Sequence, residues 1–318
     1  MPLVSVITPA YNAAITVIET IESVLNQSFS DFEFIIIDDG SEDNTLSLVY
    51  CCQDPRLKVF SYPNVGVSAS RNCGFYHSVG DYVSFLDADD LWTPDKLEMQ
   101  VAALQGNSQA AVAYSWTDFI DESSRFLRPG AHTTVSGDVY AKLLVSNFLE
   151  NGSNALIRRD AFTSVGKFDE SLHGPEDWDL YLRLAARYDF VCVPRSQILY
   201  RVRTNSISAN ISELEHQSLR VIERAFNNSV PSLQHLKKAS IASFYLYLTF
   251  RGIEGEVNPQ KSFMVIRCLL LAVTKNPVIV RQRWRVLSIV LLKSIVGILL
   301  PPTLAQSLRH QIKGTAKS

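Results

Sequence analysis

The C-terminal end of this chain has no acidic residue: after Glu256 come Lys261, Arg267, Lys275, Arg281, Arg283, Arg285, Lys293, Arg309, Lys313 and Lys317, with neither aspartate nor glutamate between them. The formal net charge of -2 is thus the average of a mildly acidic body and a basic segment. Such a segment offers either solvated helix faces or a peripheral contact with an anionic membrane. No nucleic-acid motif accompanies it, so nucleic acid is not an expected partner. Long apolar runs are also scarce. Val286 to Leu300 is strongly apolar, but Lys293 interrupts it, and it falls short of the roughly 20 residues that span a bilayer. Cys51, Cys52, Cys73, Cys192 and Cys268 form an odd set without metal-ligand spacing, as expected of reduced intracellular thiols with packing roles. No basic leader precedes the apolar strand that starts at Leu3, so a secretory signal is not expected. Activity is expected in the cytoplasm or at the cytoplasmic face of the cell membrane.

What is present is enough for a sizeable core: 47% of the residues are hydrophobic and 19% charged. Short β-branched runs read as strands at Val4 to Thr8, Phe34 to Ile37, Lys58 to Ser61, Tyr82 to Leu86 and Ala111 to Ser115. Helical spacing of apolar residues lies between them, as in Ala14 to Asn26, and Pro94 is placed to open another helix at its first position. This alternation predicts an α/β fold with a mainly parallel central sheet and helices on both faces. From about Ser212 the pattern turns helical. The expected domains are residues 1–210, which bind substrate, and a helical region, residues 211–318.

In parallel sheets ligands sit beyond the carboxyl ends of the strands. Here those ends read Pro9-Ala10-Tyr11-Asn12, Asp38-Asp39-Gly40-Ser41 and Asp87-Ala88-Asp89-Asp90. Gly40 permits a sharp turn into a helix that Ser41 can cap. The two preceding aspartates either cap that turn or project a carboxylate able to accept the imide N–H of a uracil ring. Three carboxylates within four positions at Asp87 to Asp90 repel one another. A bound Mg²⁺ or Mn²⁺ shared with substrate phosphates would resolve this, and Asp87 and Asp89 can both face it.

Gly174-Pro175-Glu176-Asp177-Trp178-Asp179 opens another helix with carboxylates in its first turn. They serve as partners of the helix dipole, or one is a general base aimed at an acceptor hydroxyl with Trp178 as an apolar platform. In the Asn64 to Gly74 segment, Arg71 either neutralises phosphate charge or pairs with a strand-end aspartate.

The run Val4 to Asn12, the string from Asp38, the Asn64 to Gly74 segment, the Asp87-Ala88-Asp89 triplet and Glu176-Asp177 together resemble the family-two inverting glycosyltransferases of the GT-A fold, over about residues 3 to 205. The resemblance implies transfer of a sugar from a nucleotide-diphosphate donor, UDP above all, to a hydroxyl of a glycan or lipid-linked acceptor in polysaccharide or cell-envelope glycan synthesis. It implies Asp177 as catalytic base and Pro9, Tyr11, Asp39, Arg71, Asp87 and Ala88 at the donor. Asp89, with Asp87 as a second candidate, would hold a divalent cation, Mn²⁺ or Mg²⁺. Glu176 and Trp178 would meet the acceptor. Where many relatives carry a histidine after a Tyr-Arg pair, Tyr200-Arg201-Val202-Arg203 has Arg203. A nucleotidyltransferase would need a Gly-rich phosphate loop with a lysine near the N-terminus, which is missing. A silent nucleotide-sugar-binding protein would have lost carboxylates, and none is lost.

Overall fold

The computed structural model of the protein describes residues 1–202, 211–253 and 259–300. The chain divides into two compact units, Met1–Leu143 with Asn147–Ile207, and Leu144–Ser146 with Ser208–Ser318.

The first unit is built on a nine-stranded sheet. Its strands are β1 (Val4–Ala10), β2 (Phe32–Asp38), β3 (Leu57–Ser61), β4 (Tyr82–Phe85), β5 (Leu91–Trp92), β6 (Ala110–Ile120), β7 (Phe126–Pro129), β8 (Leu156–Arg158) and β9 (Asp189–Arg201). They lie in the order β3-β2-β1-β4-β8-β6-β9-β5, with β7 beside β6. β1 to β4, β6 and β9 point one way; β5, β7 and β8 run against them. The sheet is therefore mainly parallel, as its near-continuous apolar strands require when both faces are covered.

Helices α1 (Val17–Leu25), α2 (Thr45–Cys51) and α4 (Lys96–Gly106) share one face, where Val4, Val6, Phe34 and Ile36 meet Val17, Ile21, Val49, Leu97 and Val101. Alternate strand residues point the other way. There α3 (Val67–His77) packs on Ile7 and Ile37. Phe85 packs against Phe162 of α6 (Arg159–Val165) at a tilt and meets Phe168 edge-on. Two further helices, α5 (Tyr140–Val145) and α7 (Glu176–Ala185), complete the described helices up to residue 202.

Some boundaries differ from expectation. α1 starts at Val17 rather than Ala14, because the amides of Ala13 and Ala14 donate to Thr45 and Asp43. Asn44, not Ser41, is the N-cap of α2; the Ser41 hydroxyl instead accepts the Asn12 amide at 3.1 Å. Pro94 precedes the N-cap Asp95 of α4, since Thr93 to Lys96 forms a turn of its own. β6 continues five residues past Ser115, paired along its length with β9.

The second unit contains α8 (Ile211–Asn227), a short 3-10 helix (Pro231–Leu236), α9 (Lys237–Ile253), α10 (Pro259–Lys275) and α11 (Val278–Leu299). Val221, Ile222, Phe226, Leu248, Val265 and Ala272 are buried. A bidentate pair of Arg267 with Glu215, both contacts at 2.8 Å, ties α10 to α8, and the Tyr245 hydroxyl donates to the same carboxylate at 3.0 Å. α11 is longer than the apolar run that marks it in the sequence, and it is kinked at Arg283. No described helix is long and apolar enough to cross a membrane. All five cysteines are free; Cys268 is buried, Cys52, Cys73 and Cys192 are half-buried, and Cys51 is exposed rather than packed in the core.

Candidate active site

Register brings the polar strand ends together. Ala10 pairs with Asp38 and Ile7 with Phe85, while the Asp39 amide donates to Ala10 O at 2.8 Å and the Leu86 amide to Ile7 O at 3.0 Å. Pro9 is buried at this edge and Tyr11 stands 49% exposed beside it. Asp39 is buried, and its two oxygens accept the amides of Val65 and Gly66 at 2.8 and 2.9 Å. That carboxylate therefore shapes the loop ahead of α3. Gly40, at φ +73°, lets the loop close over it: a Cβ there would come within 2.8 Å of Asn64 N.

Arg71 is the centre of charge. It is buried, its two terminal nitrogens reach Asp87 Oδ1 at 2.5 Å and Glu176 Oε1 at 3.0 Å, and its guanidinium lies 5.1 Å from the Phe168 ring. Burial works against its charge, but Asp87 and then Glu176 hold it firmly protonated. Of the two roles open to Arg71 in the sequence, pairing with a strand-end aspartate is the one seen here. Glu176 is engaged on both oxygens, the second accepting the Gly174 amide at 2.7 Å. Gly152 makes room for the cation, since a Cβ there would sit 3.0 Å from an Arg71 nitrogen.

Asp177 lies one residue further along α7 and is buried without a direct ion pair among the contacts of its carboxylate. Its Oδ1 accepts its neighbour's amide, that of Trp178, at 2.6 Å, and Asn147 donates to Oδ2 at 3.4 Å. Burial, then Glu176, push its pKa up to about 7, with Arg71 opposing. Trp178 is buried with its indole N–H on Leu143 O at 2.9 Å.

The acidic turn after β4 does not stack three charges at one point. Asp87 pairs with Arg71. Asp90 turns inward, where its carboxylate accepts Ser153 Oγ at 2.6 Å and the Arg201 amide at 3.0 Å. Burial first, then Asp89 and Asp87, raise its pKa well above the usual carboxylate range. Ala88 is buried, its carbonyl accepting Thr16 Oγ1 at 2.9 Å. Asp87 and Asp89 are left half-buried at the edge. Among the described residues no group of three or more side chains is arranged to hold a metal. Asp87 and Asp89 are the carboxylates left at this edge, and their oxygens are of the kind that a hard divalent ion takes.

Two residues of this constellation, Ser153 and Asn147, are unmarked in the sequence, and Arg201 is marked only as part of a Tyr-Arg pair without a role. Ser153 accepts the Asp87 amide at 3.1 Å while donating to Asp90. Arg201 donates from Nε to Asp89 O at 2.8 Å and pairs with Glu19 at 2.7 Å, pinning the turn. Asn147 is the partner of Asp177. For Ser153 the signal was the polar string Asn151-Gly152-Ser153-Asn154, which lies before β8; because β8 is antiparallel, its N-terminal end arrives at the same edge. Arg203 lies outside the described residues.

A family model described as "Glycosyltransferase like family 2" matches residues 5–252. The chain belongs to this glycosyltransferase family. Among the family's curated members, it is 31% identical over 227 residues to the Escherichia coli UDP-Glc:alpha-D-GlcNAc-diphosphoundecaprenol beta-1,3-glucosyltransferase WfgD, an overlap covering 68% of this chain and 83% of WfgD. It spans about a third of the length of other curated relatives that it matches. Staphylococcus aureus TarS 1-349 in complex with UDP superimposes with a TM-score of 0.63 at 20% identity, over 98% of this chain and 92% of that one. The mannosyltransferase PcManGT from Pyrobaculum calidifontis, in complex with GDP-Man and Mn²⁺, does so with a TM-score of 0.63 at 18% identity, over 98% and 84%. These likenesses show that this glycosyltransferase family member has the GT-A fold expected of it.

Proposed function

We propose that this chain transfers a sugar, with inversion, from a UDP-sugar to a hydroxyl of a glycan or lipid-linked acceptor in cell-envelope glycan synthesis. The observation that carries this reading is a buried carboxylate, Asp177, held near neutral pH one residue from the Arg71–Glu176 pair at the carboxyl edge of the sheet. A general base works best with a pKa near the operating pH, and donor binding gives such a group no task. Asp177 takes the acceptor proton as the hydroxyl attacks the anomeric carbon and the nucleotide diphosphate leaves from the opposite face. Arg71, fixed by Asp87 and Glu176, keeps one positive charge beside that reaction. Pro9, Tyr11 and Asp39 border the base; each Asp39 oxygen keeps a lone pair beyond its amide contact, enough to accept a uracil imide N–H. Ala88 lies within the donor-side turn. Glu176 and Trp178 shape the acceptor side through Arg71 and the α5 backbone. Asp89, with Asp87, would hold Mn²⁺ or Mg²⁺, which when bound neutralises charge on the diphosphate. WfgD's UDP-glucose and diphosphoundecaprenol, TarS's UDP and PcManGT's Mn²⁺ support the donor, acceptor and metal classes.

The test is a panel of UDP- and GDP-sugars, read as donor hydrolysis and transfer with Mn²⁺ and with excess EDTA. UDP-sugars are expected to turn over, and chelation to remove turnover. Full activity in EDTA with metal content confirmed as nil overturns the metal role; turnover of GDP-sugars alone overturns the reading of Asp39.

A pH dependence follows from Asp177. As an acid whose folded pKa is raised, it favours folding when protonated and loses that contribution as pH rises through about 7. The base needs the opposite form. Transfer is expected to rise about tenfold between pH 6 and pH 8 while thermal stability falls slightly over the same interval. A rate limb near pH 4, measured as kcat/KM for transfer, would remove Asp177 from this role.

A further inference from the structure

α11 has two unlike faces. Ile279, Leu287, Val290 and Ser294 are buried. Trp284, Leu291, Leu292, Ile295 and Leu299 are 58%, 42%, 49%, 40% and 73% exposed. Positions 284, 291, 295 and 299 are separated by seven, four and four residues, so they lie in one stripe along the helix. Exposed arginines at 281, 283 and 285 crowd the end where the stripe begins, and Arg285 lies 5.5 Å from the Trp284 ring. An exposed aliphatic stripe with a tryptophan in it and arginines beside it is the composition that a lipid interface selects: cations on the phosphates, indole at the headgroup boundary, aliphatic side chains below. The kink at Arg283 lies one residue before Trp284, the stripe's first residue.

We infer that α11 lies flat in the surface of an anionic bilayer, with Leu291, Leu292, Ile295 and Leu299 among the acyl chains and Arg281, Arg283 and Arg285 on lipid phosphates. It does not span, because its opposite face is packed within the helical unit and no described helix is apolar and long enough. A second copy of the chain is a poorer occupant. It would bring to the contact another helix from the same acid-free segment, leaving the arginines without a counter-charge. The inference deepens the proposed choice of a lipid-linked acceptor, but it is read without any sugar donor, so its failure leaves the transferase reading standing.

The test uses the full chain with vesicles of phosphatidylcholine alone and of phosphatidylcholine with phosphatidylglycerol, followed by flotation and tryptophan emission. Binding is expected only with the anionic lipid, with a blue shift that Trp284→Phe removes while binding persists. Replacing Arg281, Arg283 and Arg285 together by glutamine should weaken binding by about fivefold per arginine, on the order of 100-fold for the three. Leu291→Asp with Ile295→Asp should remove it, while circular dichroism and donor hydrolysis stay as in wild type. Equal binding to neutral vesicles, wild-type binding by the aspartate variant, or a dimer in sedimentation that this variant dissociates without any vesicle binding by the wild type would each overturn the inference.

Discussion

Replacing Asp177 by asparagine is expected to lower the rate of sugar transfer by about 10²- to 10⁴-fold while affinity for the nucleotide stays within about twofold of wild type. Asparagine keeps the size of the side chain and can still accept the Trp178 amide, but it cannot take a proton. The two quantities separate because the donor is assigned to Asp39 and the turn after β4, whereas Asp177 serves the acceptor. Asp179 on the same helix is the comparator. Its carboxylate accepts Arg183 Nε at 2.9 Å, and Arg183 in turn caps the carbonyls of Val165, Gly166 and Lys167. Asp179→Asn should therefore lower thermal stability and leave the rate per folded molecule unchanged. Calorimetric titration of UDP beside transfer rates decides the matter. Near-normal transfer by Asp177→Asn, or loss of UDP binding together with activity, sinks the assignment.

The second large effect is expected at Arg71, and it is one of stability. Arg71→Met removes the only cation in contact with Asp87 and Glu176 among the described ion pairs and leaves Asp177 without its opposing charge. Breaking a buried pair by deleting one partner costs about 3–5 kcal/mol, because the remaining charge is desolvated and uncompensated. For a unit of this size that is a fall in Tm of roughly 6–20 °C. The loss should be smaller at pH 6 than at pH 8, since Asp177 is more protonated at the lower pH and adds less repulsion. Arg71→Lys retains charge but not the fork that reaches two carboxylates at once, so it should fall between. Differential scanning calorimetry provides the measurement; a shift under about 2 °C for Arg71→Met would show that the carboxylates are solvated after all.

Much of this site was legible because it is written in local pattern. Ile35-Ile36-Ile37 before Asp38, and Tyr82 to Leu86 before Asp87, give strand and strand end together, and helix α7 begins at Glu176 as its Gly-Pro entry predicts. What stayed hidden depends on partners far along the chain. Ser153 meets Asp90 across 63 residues and Arg201 meets Asp90 across 111, and no local pattern names the partner. The expectation of three clustered charges failed for that reason. Residues two apart share a face only on a strand, but β4 ends at Phe85 and all three aspartates lie in the turn that follows, where Ser153 and Arg201 hold Asp90 inward. Arg71 shows another limit: the sequence offered a strand-end aspartate as its partner, and Asp87 is one, but Glu176 of α7, 105 residues away, was not legible as the second.

The carboxylate of Asp39 holds the amides of Val65 and Gly66, and this bears on redesign. A library that varies position 39 alone, in search of purine donors, alters the loop in every member before it alters base preference. A side chain that donates, as adenine's N1 acceptor would ask, faces two N–H groups already pointing at it. Useful diversity therefore has to be paired: residues 64 to 66 must first be given another acceptor, and only then does position 39 become free to change allegiance.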